Sequence, residues 1–198
     1  MSPVGSLFAL GLGLAGSSFF TFGNFANGVT GIGAIQAKPA LRKLNAISVS
    51  QRVELWGIQY DHGKVWFPVA IVTSVIGYGF AAITLANIRR LLFTAIGASV
   101  LSGALIVTLA PTNAKLVALR DAIHQRRFTD TPQQQTNLSG DSGLSDANMQ
   151  YPDKVELLNV TEQETATTLI VKWGWLHRAR VLANSIGWVA GFAAAVLV

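Results

Sequence analysis

Four uncharged stretches divide the chain, at 1–37, 65–88, 91–114 and 181–198. A membrane-spanning helix needs about 20 consecutive apolar residues, so the pattern predicts transmembrane helices at about 5–33, 65–87, 91–110 and 178–198. The first carries the small-xxx-small pairs Gly11/Ala15 and Gly13/Ser17, which let a neighbouring helix approach closely. Asn24 and Asn27, in the same stretch, either bond to another helix or line a cavity. Residues 34–64 interleave Lys38, Arg42, Lys43, Arg52 and Lys64 with Ala40, Leu41, Leu44, Ile47 and Leu55, the pattern of one or two interfacial helices. That segment ends in Trp56-x-x-x-Tyr60-Asp61-His62-Gly63. Gly63 is expected to stop a helix, with Pro68 in the first turn of the second span. Trp56 and Trp66 also suit an aromatic belt at the membrane boundary.

Asn87-Ile88-Arg89-Arg90 leaves so short a turn that the second and third spans must form an antiparallel hairpin. Ser99 and Gly103 give the third span its own small-residue face. Pro111-Thr112-Asn113 is expected to end it, with Asn113 capping an amphipathic helix that carries Leu116, Leu119 and Ile123. From Thr129 to Asp153 the composition turns to Gln, Ser, Asp, Asn, Thr and Gly, a flexible loop. Thr161-x-x-Glu164 then reads as a capping box, starting a helix near Glu162 that runs to the C-terminus, roughly 55 Å long. On it Ala166, Leu169, Ile170, Trp173, His177 and Arg180 form one stripe, and Arg178 points elsewhere.

With 51% hydrophobic and 13% charged residues the chain reads as a multi-pass integral membrane protein. The fold class is all-α, a four-transmembrane-helix bundle forming a single domain over 1–198, with interfacial helices and one long polar loop on a single membrane face. The first stretch lacks a basic n-region and a small-residue cleavage site, which favours a retained helix over a signal peptide. The absence of cysteine excludes disulfides and thiolate chemistry. A net charge of +5 raises nucleic acid as a partner, but no aromatic-basic platform supports it, and none is expected. Gly28 to Gly33 lacks the spacing of a dinucleotide loop. Asn137-Leu138-Ser139 and Asn159-Val160-Thr161 match glycosylation sequons.

Four crossings place 34–64 and 111–177 on one face. Of the 15 Lys and Arg residues only Arg89 and Arg90 fall on the other, so 15 − 2 = 13 join all ten acidic residues and all three histidines. The ends of the helices there bring Asn24 or Asn27, Tyr60-Asp61-His62, Asn113 and Trp173-His177-Arg180 toward a common mouth. A bundle pocket with a few convergent polar groups suits a small hydrophobic ligand. The positive-inside rule puts this face in the cytosol, and use of the sequons would reverse that.

Lys38-Pro39-Ala40-Leu41, Trp56-x-x-x-Tyr60-x-x-Gly63, Pro111-Thr112-Asn113-x-x-Leu116 and Trp173-x-x-Leu176-His177-x-x-Arg180, in this order among four apolar runs, resemble the fungal anthrone oxygenase family of small membrane proteins. The resemblance spans most of the chain outside 129–153. It implies an endomembrane protein, such as one of the endoplasmic reticulum, acting in aromatic polyketide biosynthesis as part of secondary metabolism. Members with known roles convert an anthrone to the anthraquinone with molecular oxygen as co-substrate and no established organic cofactor. The implied partners are a planar hydrophobic aromatic molecule and the lipid bilayer, with a homo-oligomer left open.

Such a reaction asks for a base, an oxyanion partner and an aromatic slot. Under this reading His177 is the base and Arg180 stabilises the phenolate, both catalytic. Asn113 and Tyr60 would donate hydrogen bonds to substrate oxygens. Trp56 and Trp173 would stack on the rings, and Asn24, Asn27, His62 and Asp61 would complete the binding mouth. The plain alternatives are an interfacial histidine that orients its helix and a snorkelling arginine. A metal variant would use His62, His177 and Asp61 as a two-histidine, one-carboxylate set. The competing class is a non-enzymatic scaffold or small-hydrophobe binding or transport protein.

Overall fold

The computed structural model describes residues 3–27, 47–130 and 156–198. These form four long helices: α1 (Pro3–Asn27), α2 (Val49–Thr84), α3 (Arg89–Asp130) and α4 (Val160–Val196). A single 3₁₀ turn, Ala86–Ile88, joins α2 to α3 as the expected hairpin. All four are long and apolar enough to cross a membrane, and the chain is an all-helical membrane protein. Residues 28–33 of the first expected span, the stretch 34–46 and nearly all of the loop at 129–153 lie outside the described residues.

The main correction to the sequence reading is continuity. Gly63 does not end a helix and Pro68 does not begin one, because α2 runs unbroken through both. Pro111 likewise lies inside α3. A proline removes one helical hydrogen bond, but in a bundle the neighbouring helices hold the flanking turns in place. The described helical part of the expected interfacial segment 34–64, from Val49 on, and the helix after Asn113 are therefore extensions of spanning helices. At 1.5 Å per residue α2, α3 and α4 measure about 54, 63 and 55 Å, well beyond a hydrocarbon core of about 30 Å.

The excess length of α2, α3 and α4 packs into a three-helix bundle at one end of the molecule. Its core holds Val53, Trp56, Leu116, Ile123, Ala166, Ile170 and Trp173. Ion pairs clasp its outside: Arg126 to Glu162 at 2.6 Å, Arg120 to Asp61 at 2.7 Å and Arg127 to Glu54 at 2.8 Å. The α4 cap differs from the expected Thr161/Glu164 box. Asn159 Oδ1 accepts from the Glu162 amide at 2.9 Å and Glu162 reaches back to the Asn159 amide, a pairing favoured because Arg126 already fixes the Glu162 carboxylate. Ser48 and Gln51 make the same reciprocal cap at the start of α2. Glu156 accepts from the Val49 amide at 2.8 Å, which ties the segment entering α4 to that cap.

In the membrane-spanning half, α1 lies against α2 and α4. Of its two small-residue faces, Gly13/Ser17 is buried and Gly11/Ala15 faces outward. The approach to α2 is close enough that a Cβ on Gly77 would run into the Gly13 main chain and the Ala9 carbonyl. Tyr78 fills the remaining space, its hydroxyl 2.7 Å from Ser17 Oγ. Asn184 of α4 donates to Thr21 Oγ1 at 2.8 Å and to the Ser17 carbonyl at 3.1 Å. At the far end Arg89 Nε donates to the Ala82 carbonyl at 2.9 Å, satisfying the C-terminus of α2.

Gly77→Ala should lower thermal stability in detergent by about 1–3 kcal/mol, since the clash is with main chain that cannot rotate away. Gly79→Ala, with nothing within 4 Å of the added methyl group, should be neutral or slightly stabilising through helix propensity. Equal effects in thermal unfolding would contradict the assigned α1–α2 contact.

Candidate functional site

Where the outer three-helix bundle meets the four-helix membrane half, α2, α3 and α4 separate around a cleft. About 470 Å³ of non-atom space lies within it, a figure that includes open solvent at its mouth. Helix α4 supplies Trp173, His177 and Arg180, at i, i+4 and i+7 on the expected stripe. Helix α2 supplies Gln59, Tyr60, Gly63, Lys64, Phe67 and Pro68, a face that exists only because α2 passes through Gly63 without a break. Helix α3 adds Ile106 and Asn113.

His177 and Arg180 are 3% and 8% exposed. Arg180 Nη2 lies 2.7 Å from His177 Nδ1 and donates to Asn24 Oδ1 at 3.0 Å. A guanidinium only donates, so Nδ1 is the acceptor, and this hydrogen-bond pattern assigns the imidazole proton to Nε2. His177 Nε2 is buried without a hydrogen-bond partner, as is Arg180 Nε. The Asn24 main-chain carbonyl lies close to the imidazole but outside ordinary hydrogen-bond geometry. Phe67 places its ring 5.5 Å below the guanidinium carbon, a cation–π contact. The imidazole itself stacks on Trp173 at 5.0 Å.

No carboxylate pairs with Arg180 among the described residues; the acidic partners there belong to Lys64, Arg120, His124, Arg126 and Arg127. Burying an unpaired charge costs several kcal/mol even after relaxation. Two neutral acceptors and an aromatic face offset part of that. The remaining demand is for an anion.

The other expected residues divide clearly. Tyr60, Asn113 and Trp173 line the cleft with His177 and Arg180. Asn113 does not cap a helix, because α3 never stops there; its Oδ1 is buried and unpartnered. Trp56 is fully buried in the outer core, stacked behind Tyr60 at 5.0 Å and edge-on to Trp173 at 6.4 Å. It supports the aromatic wall and does not line the cleft. Asn24 holds Arg180 from behind, while the Asn27 side chain lies outside the described residues. Asp61 is engaged by Lys64 and Arg120, and His62 is exposed with Nδ1 2.7 Å from the Ile58 carbonyl. Successive residues on a helix point about 100° apart, so neither joins His177, and among the described residues no three His, Cys, Asp or Glu side chains are grouped to hold a metal ion.

Sequence reasoning missed Gln59, Gly63, Lys64, Phe67, Pro68 and Ile106 as cleft residues. The signal for Phe67 was its i, i+4, i+7, i+11 register with Trp56, Tyr60 and Gly63, hidden by the expected helix break at Gly63. Compared with protein-family models, curated proteins and solved structures, the chain has no match. Its function must therefore be argued from this cleft.

Asn24→Leu removes an acceptor from a buried guanidinium, and a hydrogen bond to a charged group is worth about 1.5–3 kcal/mol. Thermal unfolding in detergent should show a loss of that size. An unchanged midpoint would mean that Asn24 does not carry the Arg180 side chain.

Proposed function

We propose that this protein is an oxygenase that converts an anthrone-type polyketide to the anthraquinone with molecular oxygen, without an organic cofactor. The observation that carries the reading is the buried Arg180 guanidinium, which no carboxylate among the described residues pairs, held at His177 Nδ1 on the wall of an aromatic cleft. An anthrone is a flat tricyclic ketone whose central CH2 loses a proton to give an aromatic phenolate. A buried guanidinium at the oxygen favours that anion over the neutral ketone, and it is worth more in a cleft poor in water.

With Nδ1 occupied by Arg180 and the proton on Nε2, the imidazole in this reading holds the guanidinium in place instead of acting as the base. Solvent at the open mouth takes the CH2 proton, helped by the lowered cost of forming the anion. The carbanion then reduces O2, a C–O bond forms to give the hydroperoxide, and loss of the second C–H proton with cleavage of the O–O bond leaves the carbonyl and water. One oxygen atom enters the product and the other leaves as water, so no outside reductant is needed. Trp173, Tyr60 and Phe67 supply the flat apolar surfaces that hold the rings. The reading places the protein in an endomembrane, with the charged outer bundle in the cytosol.

Purified protein in detergent should accelerate oxygen uptake and quinone formation from an emodin-type anthrone above the spontaneous rate. Arg180→Leu should reduce the rate by about 100-fold or more, the usual scale for losing an oxyanion donor, and His177→Ala by about tenfold or more. A folded wild-type protein that gives no acceleration rejects the oxygenase, and ligand binding without turnover would favour a carrier.

A further inference from the structure

Two cations line the cleft, and each lies over an aromatic ring of α2. The Arg180 guanidinium carbon is 5.5 Å from the centre of the Phe67 ring, and the Lys64 ammonium is 5.7 Å from that of Tyr60. Tyr60 and Phe67 stand two helical turns apart, so they share one face of α2 and are separated by about 10 Å along its axis. That is comparable with the long dimension of three fused aromatic rings. Between them Gly63 has no side chain, and the Phe67 ring occupies the space that a Cβ there would need. The α2 wall is thus aromatic and positive at both ends, and among the described residues that line the cleft there is no carboxylate.

The two cations are held differently. Arg180 is buried and fixed by Asn24 and His177. The Lys64 side chain is 48% exposed and donates to Asp61 Oδ1 at 2.8 Å. Asp61 accepts at its other oxygen from Arg120 at 2.7 Å, and Arg120 packs into the space left by the missing side chain of Gly57. One carboxylate therefore serves two cations, and Arg120 is the better-anchored of them. An exposed Lys–Asp pair one turn apart on a helix adds little stability, and the ammonium sits on a flexible stem. An incoming anion can take it at small cost while Asp61 keeps Arg120. We propose that Lys64 is a substrate-binding residue that recognises a carboxylate at the outer end of the ligand. The substrate class is thereby narrowed to planar aromatic acids, with an ionisable ring oxygen at Arg180 and a carboxylate at Lys64. A neutral tricycle leaves the lysine on Asp61, and a fatty acid offers one anionic group to two cations. The inference rests on the aromatic ligand class of the proposed function but not on turnover, because recognition is complete before oxygen reacts.

The test is equilibrium binding to the full chain in an uncharged detergent at neutral pH, followed by quenching of tryptophan fluorescence. The probes are an anthraquinone with a phenolic hydroxyl on one outer ring and a carboxylate on the other, and its primary carboxamide, which keeps the size and shape but not the charge. Wild type should bind the acid about tenfold more tightly than the amide, the scale of one charge-assisted hydrogen bond. Lys64→Gln should bring that ratio to about one and Lys64→Arg should keep it, with an unfolding midpoint like that of wild type reporting an intact fold. Equal affinities in wild type, or a ratio that survives in Lys64→Gln, would overturn the assignment. Turnover of an emodin-type anthrone without any preference for the acid would overturn this inference alone. Failure of wild type to bind either probe would overturn both this inference and the oxygenase reading, and acid-selective binding without oxygen uptake would sustain this one alone.

Discussion

The arginine at position 180 is the point on which the four helices depend. Its side chain is held by Asn24 of α1 and lies over Phe67 of α2, and its own main-chain carbonyl accepts from Ser102 of α3 at 3.1 Å. His177, one turn back on α4, takes the remaining contact. A charge placed here without a carboxylate is costly, and every neighbour reduces that cost without cancelling it. The same residue thus joins the bundle and leaves it with an electrostatic demand that a ligand can meet.

Helix continuity gives that demand a place. Because α2 passes through Gly63 and Pro68, the aromatic face that begins in the outer bundle at Trp56 and Tyr60 extends down to Phe67 beneath the guanidinium. Because α3 passes through Pro111, Asn113 is released from capping and lines the cleft. The outer bundle fixes the three helices with ion pairs and an apolar core. The inner half fixes them by close approach, with Gly13 and Gly191 leaving room for the Tyr78 ring. The cleft occupies the level between these two kinds of packing.

Much of this was legible in the chain. Uncharged runs located the four spans, the Asn87–Arg90 turn required the hairpin, and helical spacing put Trp173, His177 and Arg180 on one buried stripe. What failed were the local stop signals. Gly63, Pro68 and Pro111 break helices when the alternative partner is water, but tertiary packing overrides them here. That error separated Tyr60 from Phe67 and hid the cleft's α2 wall. The partner of Arg180 was equally invisible, since Asn24 lies 156 residues away and only the fold brings them together. The tautomer of His177 was equally hidden, since it follows from the Arg180 guanidinium at its Nδ1.

The most direct measurement is the ionisation of a bound chromophore. A hydroxyanthraquinone changes colour when its phenol loses a proton, so its pKa can be read in the cleft by visible absorbance. If the Arg180 guanidinium forms an anion site, binding should lower that pKa by about one pH unit or more, and Arg180→Leu should abolish the shift. A bound phenol whose pKa is unchanged or raised, as desolvation in an apolar cleft alone would produce, would contradict the account.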